Sequence, residues 1–85
     1  MTKVVIYSKA VCPYCDYAKE FFDQQKIAYE EIKVDQDAKA LAYMMEASGR
    51  RTVPQIFIQD QPIGGYDDLM ALHRDGQLDQ LLTGE

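Results

Sequence analysis

Val4-Val5-Ile6-Tyr7, followed closely by Cys12-Pro13-Tyr14-Cys15, is the stretch on which the reading of this chain turns. The first four residues are apolar or aromatic and mostly β-branched, which predicts a short buried strand over Lys3–Tyr7. The two cysteines are the only ones in 85 residues and stand one helical turn apart. A helix that begins at Cys12 aims its unsatisfied N–H groups and the positive end of its dipole at the first sulfur, favouring thiolate over thiol. Cysteines so placed have pKa values lowered from about 8.5 into a range of about 3.5–7.5, and the thiolate is the attacking species. Pro13 suits the first helical position, where its missing N–H would have had no partner. Cys15 shares the helix face of Cys12 and can close a disulfide with it.

Three blander readings compete with redox chemistry. A structural disulfide closing so small a loop would contribute only about 2 kcal/mol in the chain-entropy account. Structural zinc wants four Cys or His ligands, and the chain offers two cysteines and a distant His73. Two inert buried thiols leave the Pro-Tyr spacer at a strand-to-helix junction unexplained. A Cys-x-x-Cys beside a strand-helix-strand pattern points instead to a thioredoxin-like redox site.

Composition narrows the partners. Eighty-five residues make one domain, 1–85, in which nearly every apolar segment must serve a single core. Hydrophobic content of 47% beside 27% charged residues describes an ordinary globular chain. A net charge of −5 repels phosphate backbones and anionic lipid, so neither nucleic acid nor a membrane is expected as partner. Met1-Thr2-Lys3-Val4 enters the first strand at once, and that apolar run is too short for a signal-peptide core or a membrane span. A cytoplasmic monomer is expected, in a compartment where a disulfide is transient and catalytic.

Along the chain, Pro13–Gln25 reads as a helix, with Tyr14, Ala18, Phe21 and Phe22 at helical spacing and Lys19, Glu20 and Asp23 between them. Ile27–Val34 reads as a strand with Ile27, Tyr29, Ile32 and Val34 inward and Glu30, Glu31 and Lys33 on a wetter face. Strand, helix and strand in this order form a right-handed parallel unit. Asp35-Gln36-Asp37 supplies N-cap candidates for a second helix, in which Ala38, Leu41, Ala42 and Met45 follow helical periodicity until Gly49. Gln55–Gln59 predicts a third strand and Pro62-Ile63 a short fourth at a sheet edge, joined through Asp60-Gln61 as a tight hairpin. Gly64-Gly65 turns the chain into a last helix bearing Leu69, Leu72, Leu78, Leu81 and Leu82, interrupted at Gly76.

Cys12-Pro13-Tyr14-Cys15, Thr52-Val53-Pro54 and Gly64-Gly65-Tyr66-Asp67-Asp68, spaced along a β-α-β-α-β-β-α order, together resemble a glutaredoxin, and closely the small bacterial dithiol type. The resemblance spans essentially the whole chain. It implies an α/β protein of thioredoxin fold, with a central four-stranded mixed sheet flanked by helices, and glutathione as cosubstrate. Thioredoxin itself fits less well, because its active site resembles Trp-Cys-Gly-Pro-Cys and this chain has no tryptophan.

Glutathione carries two carboxylates and one amine, so an acidic protein must bind it through local basic exceptions. Lys9 stands three residues before Cys12, and Arg50-Arg51 immediately precede Thr52. Either basic group can pair with the glycine carboxylate, and Lys9 can also help hold Cys12 as thiolate. One of the two arginines is expected to be only a solvated surface charge. Thr52-Val53-Pro54 resembles the family's cis-proline loop, which implies a backbone bridge from Val53 to the cysteinyl part of glutathione. Gly65 and the helix N-terminus that follows, with Tyr66, offer backbone groups to the γ-glutamyl carboxylate. Asp67 and Asp68 are placed for the amine, one of them acting only as a cap. Tyr66 departs from the Cys, Ser or Thr of many relatives and is expected to reshape the pocket rim. Tyr14 is expected to pack its ring on the bound peptide, and His73 to be a surface or capping residue.

The resemblance implies that Cys12 attacks the glutathione sulfur of a glutathionylated protein, and that a second glutathione regenerates the enzyme. For protein disulfides Cys15 resolves the mixed disulfide. No metal is expected. The alternative is an iron–sulfur carrier in which two subunits bridge a cluster through Cys12 and two glutathiones. Pro13 weighs against it, because cluster binders of this family often replace that proline.

Overall fold

The computed structural model describes residues 3–83. Strand β1, Val4–Ser8, runs through the middle of a four-stranded sheet and is buried along its whole length. Helix α1 (Pro13–Gln24) leads to β2 (Glu30–Lys33), which pairs parallel to β1 with Ile6 opposite Glu31 and Tyr7 opposite Ile32. Helix α2 (Ala38–Ser48) then leads to β3 (Gln55–Ile58) and β4 (Gln61–Gly64), both antiparallel to their neighbours. The order across the sheet is β2-β1-β3-β4, so the sheet is mixed, as expected, and Pro62 lies in the edge strand.

Alternate residues of β1 feed two cores. Val4 and Ile6 join Ile56, Ile58, Ala18, Phe22, Leu69 and Leu78 on one face, while Val5 and Tyr7 join Phe57, Val34 and Met44 on the other. Both faces are covered, which is why β1 and β3 read as continuous apolar runs.

The chain departs from the sequence reading in several places. The segment Ile27–Tyr29 is not strand, and β2 is only four residues long. Glu31 does not lie on a wet face: it pairs opposite Ile6, half-buried, where Ser8 Oγ donates to it at 2.6 Å and Lys19 Nζ at 2.9 Å. The stripe of α2 that faces the sheet holds Ala40, Leu41 and Met44, not Ala38, Ala42 and Met45, with Met44 fully buried against Tyr7 and Phe57. The hairpin turns at Gln59-Asp60, one residue earlier than expected. Both residues have positive φ, the requirement of a two-residue turn whose twist matches its strands. The last helix is two, α3 (Tyr66–Arg74) and α4 (Gln77–Thr83), separated at Gly76 with φ 75°.

Candidate functional site

The site begins at the end of β1, where the chain leaves the sheet and α1 starts. Cys12 is the N-cap of α1 in extended conformation, and its Sγ accepts the Cys15 N–H at 3.1 Å. Pro13 occupies the first turn as its chemistry requires. The two cysteines are joined as a disulfide, their Cα atoms 5.2 Å apart. Both are buried, Cys15 at 1% exposure more completely than Cys12 at 7%. Beside them Val11 is 82% exposed, an apolar side chain left bare next to the disulfide.

The Val53–Pro54 peptide bond is cis, so Thr52-Val53-Pro54 does form the loop that the motif implied. That loop meets the β4–α3 junction closely, since a Cβ on Gly65 would stand 3.3 Å from the Pro54 carbonyl oxygen. A cavity of about 260 Å³ lies between the two segments. Its walls bring together Tyr14, Arg50, Thr52, Val53, Pro54, Gly65, Tyr66, Asp67 and Asp68, all of them candidates from sequence. Lys9 is not among them. It lines a second cavity, of about 410 Å³, together with Arg51, Thr52 and Val53. Adjacent in sequence, the two arginines therefore serve different cavities on either side of the Thr52-Val53 backbone.

Asp68 is the capping carboxylate. Its Oδ2 accepts the Gly65 N–H at 3.0 Å at the start of α3, and pairs with Arg50 Nη1 at 2.9 Å. Hydrogen bonding from Arg50 first, and from Gly65 second, holds this carboxyl below the usual aspartate range. Asp67 sits in the first turn, exposed, with no hydrogen bond or ion pair among the described residues. The first N–H groups of any helix lack intrahelical acceptors, so α3 presents donors to the same cavity.

Tyr66 stands at the rim of this cavity. Its ring lies 5.9 Å from that of Tyr14 and 5.9 Å from that of Tyr17, and Tyr14 and Tyr17 are 5.7 Å apart edge to face. The three rings form a triangle at the edge of the cavity. Tyr14 is 58% exposed, so its ring belongs to this surface and not to the stripe with Ala18 and Phe22. His73 is exposed as expected, its ring edge-on to Phe21 at 4.9 Å.

One residue of the first cavity, Gln55, was not a candidate from sequence. Gln55 is 1% exposed, donates Nε2 to Thr52 Oγ1 at 3.3 Å, and leaves Oε1 buried without a partner. A buried polar side chain at the start of an apolar strand was the available signal, since such a group normally has a partner to satisfy. No cluster of His, Cys, Asp or Glu able to hold a metal occurs among the described residues.

The glutaredoxin family model matches residues 4–63. The chain is 48% identical over 82 residues to glutaredoxin 3 of Escherichia coli strain K12, covering 96% of this chain and 99% of that one. It is 46% identical over 82 residues to glutaredoxin 1 of Rickettsia typhi, covering 93% and 78%. Among solved structures, a buckwheat glutaredoxin–glutathione complex matches with a TM-score of 0.87 at 40% identity, covering 98% of this chain and 78% of that chain. The solution structure of a glutaredoxin from Brucella melitensis matches with a TM-score of 0.83 at 43% identity, covering 100% and 94%.

Proposed function

The chain belongs to the glutaredoxin family, and on that premise we propose that it is a glutathione-dependent thiol–disulfide oxidoreductase with Cys12 as nucleophile and Cys15 as resolving thiol. The observation that carries the assignment is the Cys12 sulfur at the N-cap of α1, accepting the Cys15 N–H and joined to Cys15. A sulfur in that position is stabilised as thiolate by the first-turn N–H groups and the helix dipole.

In the monothiol route the Cys12 thiolate attacks the glutathione sulfur of a mixed disulfide. The new S–S bond forms as the old one breaks, and the substrate thiolate leaves and takes up a proton. The thiolate of a second glutathione then attacks the glutathione sulfur on Cys12, giving glutathione disulfide and the Cys12 thiolate. In the dithiol route Cys12 attacks a protein disulfide and Cys15 displaces the protein thiol. The product is the Cys12–Cys15 disulfide of the described structure, which two glutathiones reduce.

Glutathione suits the cavity bounded by Tyr14, Thr52–Pro54 and Gly65–Asp68. Val53 offers its backbone N–H and C=O to the cysteinyl part, and the α3 N-terminus offers donors to the γ-glutamyl carboxylate. Asp67 takes the amine, with Asp68 held as cap. Lys9 with Arg51 on one side, or Arg50 on the other, supplies the cation for the glycine carboxylate. The structural relative complexed with glutathione supports this choice of ligand. The iron–sulfur carrier is not favoured, because Pro13 stands in the first turn of α1, where cluster binders of the family often lack it.

The protein is read as one glutaredoxin domain over 1–85, acting as a monomer in the cytoplasm on glutathionylated proteins and protein disulfides. No helix among the described residues is long and apolar enough to cross a membrane. A reducing compartment keeps glutathione available for turnover. The test is reduction of a glutathione mixed disulfide by glutathione, coupled to glutathione reductase. Turnover well above the uncatalysed exchange is expected, and a rate equal to it would overturn the assignment.

A further inference from the structure

Beyond the tyrosine triangle, on the side away from the glutathione cavity, the facing sides of α1 and α3 enclose a groove of about 470 Å³. Its walls include Tyr17, Phe21, Met70 and His73, and its α1 rim carries Glu20. Tyr66 lines both this groove and the glutathione cavity, so the two depressions share a wall. Tyr17 is 51% exposed, and Glu20 has no ion pair or hydrogen bond among the described residues. Apart from Tyr66, the mechanism uses none of these groove residues.

From this arrangement we propose that the α1–α3 groove docks the polypeptide that carries the reacting cysteine, taking an apolar side chain between Phe21 and Met70 and a basic side chain on Glu20. The proposal rests on the oxidoreductase function and names the class of protein substrate that it selects. Charge complementarity decides the occupant: the Glu20 carboxylate on the rim, in a chain of net charge −5, attracts a basic segment and disfavours a second copy of the same chain. Geometry sets the register. From Pro13 to Phe21 the helix rises about 12 Å at 1.5 Å per residue. An extended chain covers that in about four residues. The docked pair therefore lies about four positions from the substrate cysteine, with the glutathione moiety in its own cavity and the intervening chain crossing the tyrosine rings.

The probes are glutathionylated peptides with a Leu-Lys pair four residues before or four residues after the cysteine, matched peptides with Leu-Glu or Ser-Ser there, and the small cysteine–glutathione mixed disulfide. With the wild-type protein one Leu-Lys peptide is expected to show a KM about tenfold below its Ser-Ser counterpart. Glu20→Arg should abolish that advantage and transfer it to the Leu-Glu peptide, with kinetics on the small mixed disulfide unchanged. Equal KM values for all peptides, or a Leu-Lys advantage that survives Glu20→Arg, would overturn the docking. So would a concentration-dependent dimer abolished by Glu20→Arg, since the groove would then belong to a second copy. Failure on the small mixed disulfide as well would overturn the reaction itself and the docking with it.

Discussion

Arg50 and Asp68, both in the wall of the cavity between Thr52–Pro54 and the start of α3, are joined through Nη1 and Oδ2 at 2.9 Å, and the same Oδ2 also accepts the Gly65 N–H at 3.0 Å. The cation nearest the expected ligand thus already has a carboxylate partner, while Lys9 and Arg51 line a neighbouring cavity. In the proposed binding mode a glutathione carboxylate shares Arg50 with Asp68 or uses the Lys9–Arg51 side.

Steady-state kinetics on Arg50→Ala, Lys9→Ala and Arg51→Ala will sort these cations. The variant that loses the glycine-carboxylate partner is expected to raise the KM for glutathione by up to about tenfold, equivalent to ~1.4 kcal/mol, with little change in turnover at saturating glutathione. Asp68 adds a pH signature. Its pKa is lowered, by Arg50 chiefly, so it stays charged through the neutral range, and its pairing is lost only as pH falls below the ordinary aspartate value of about 3.9. The acid limb of glutathione binding is therefore expected below about pH 4 in the wild type and at higher pH in Arg50→Ala. Identical acid limbs would show that the ion pair does not act on the site.

Cys12 and Cys15 differ in position in the way their proposed roles need. Cys12 caps the helix, while Cys15 lies inside the first turn with 1% of its surface exposed. Cys12→Ser is expected to abolish both activities. Cys15→Ser should retain reduction of glutathione mixed disulfides while losing reduction of protein disulfides. Assaying both variants on a glutathionylated peptide and on a protein disulfide checks this, and loss of both activities in Cys15→Ser would give Cys15 a role outside the scheme.

Away from the cavity, Glu31 holds β2 to α1. It accepts from Ser8 Oγ and Lys19 Nζ, and Lys19 also lies 3.5 Å from Asp16. The Ser8 hydrogen bond and then Lys19 push the Glu31 carboxyl below the ordinary glutamate range, and Glu31 in turn raises Lys19. A lowered carboxylate stabilises the fold above its unfolded pKa of about 4.3 and loses that contribution as pH falls through its folded value. The raised lysine contributes below about pH 10.4 and loses it as pH climbs through its folded value. Glu31→Gln is expected to cost about 1.5–3 kcal/mol at pH 7, and much less at pH 3. Urea unfolding at the two pH values measures it, and equal losses at both would remove the charge from the account.

The features that could be read in the sequence are those set by short spacing. Cys12 to Cys15, the Thr52-Val53-Pro54 loop and the Gly64–Asp68 junction each carry their geometry in a few adjacent residues, and the structure brings most of their candidates to one cavity. Relations between segments were less accessible. Glu31 looked like any surface carboxylate until β2 paired with β1 and set it beneath Lys19. Local spacing points to the wrong stripe of α2, because a helix rich in alanine and methionine offers two apolar stripes and the packing of Met44 with Tyr7 and Phe57, distant in sequence, distinguishes them. Arg50 and Arg51, chemically identical neighbours, are separated by the two sides of a loop that the sequence does not show.

Gly64 places the cap and the cavity under a single backbone constraint. Its φ of 107° lies where residues with a side chain are strained, and a Cβ there would run into the Asp68 carboxylate. Gly64→Ala therefore imposes backbone strain and displaces the group that caps α3 and pairs with Arg50. Strain of this kind costs about 1–3 kcal/mol, and loss of a cap typically about 1 kcal/mol. The expected outcome is a lower unfolding midpoint together with a raised KM for glutathione, with the Cys12 reaction at saturating glutathione retained. Asp68→Ala in the Gly64→Ala background separates the two effects. If the collision with Asp68 dominates, the second substitution restores part of the stability lost to the first. If backbone strain dominates, the double variant is less stable than either single one, and Asp68 drops out as the cause.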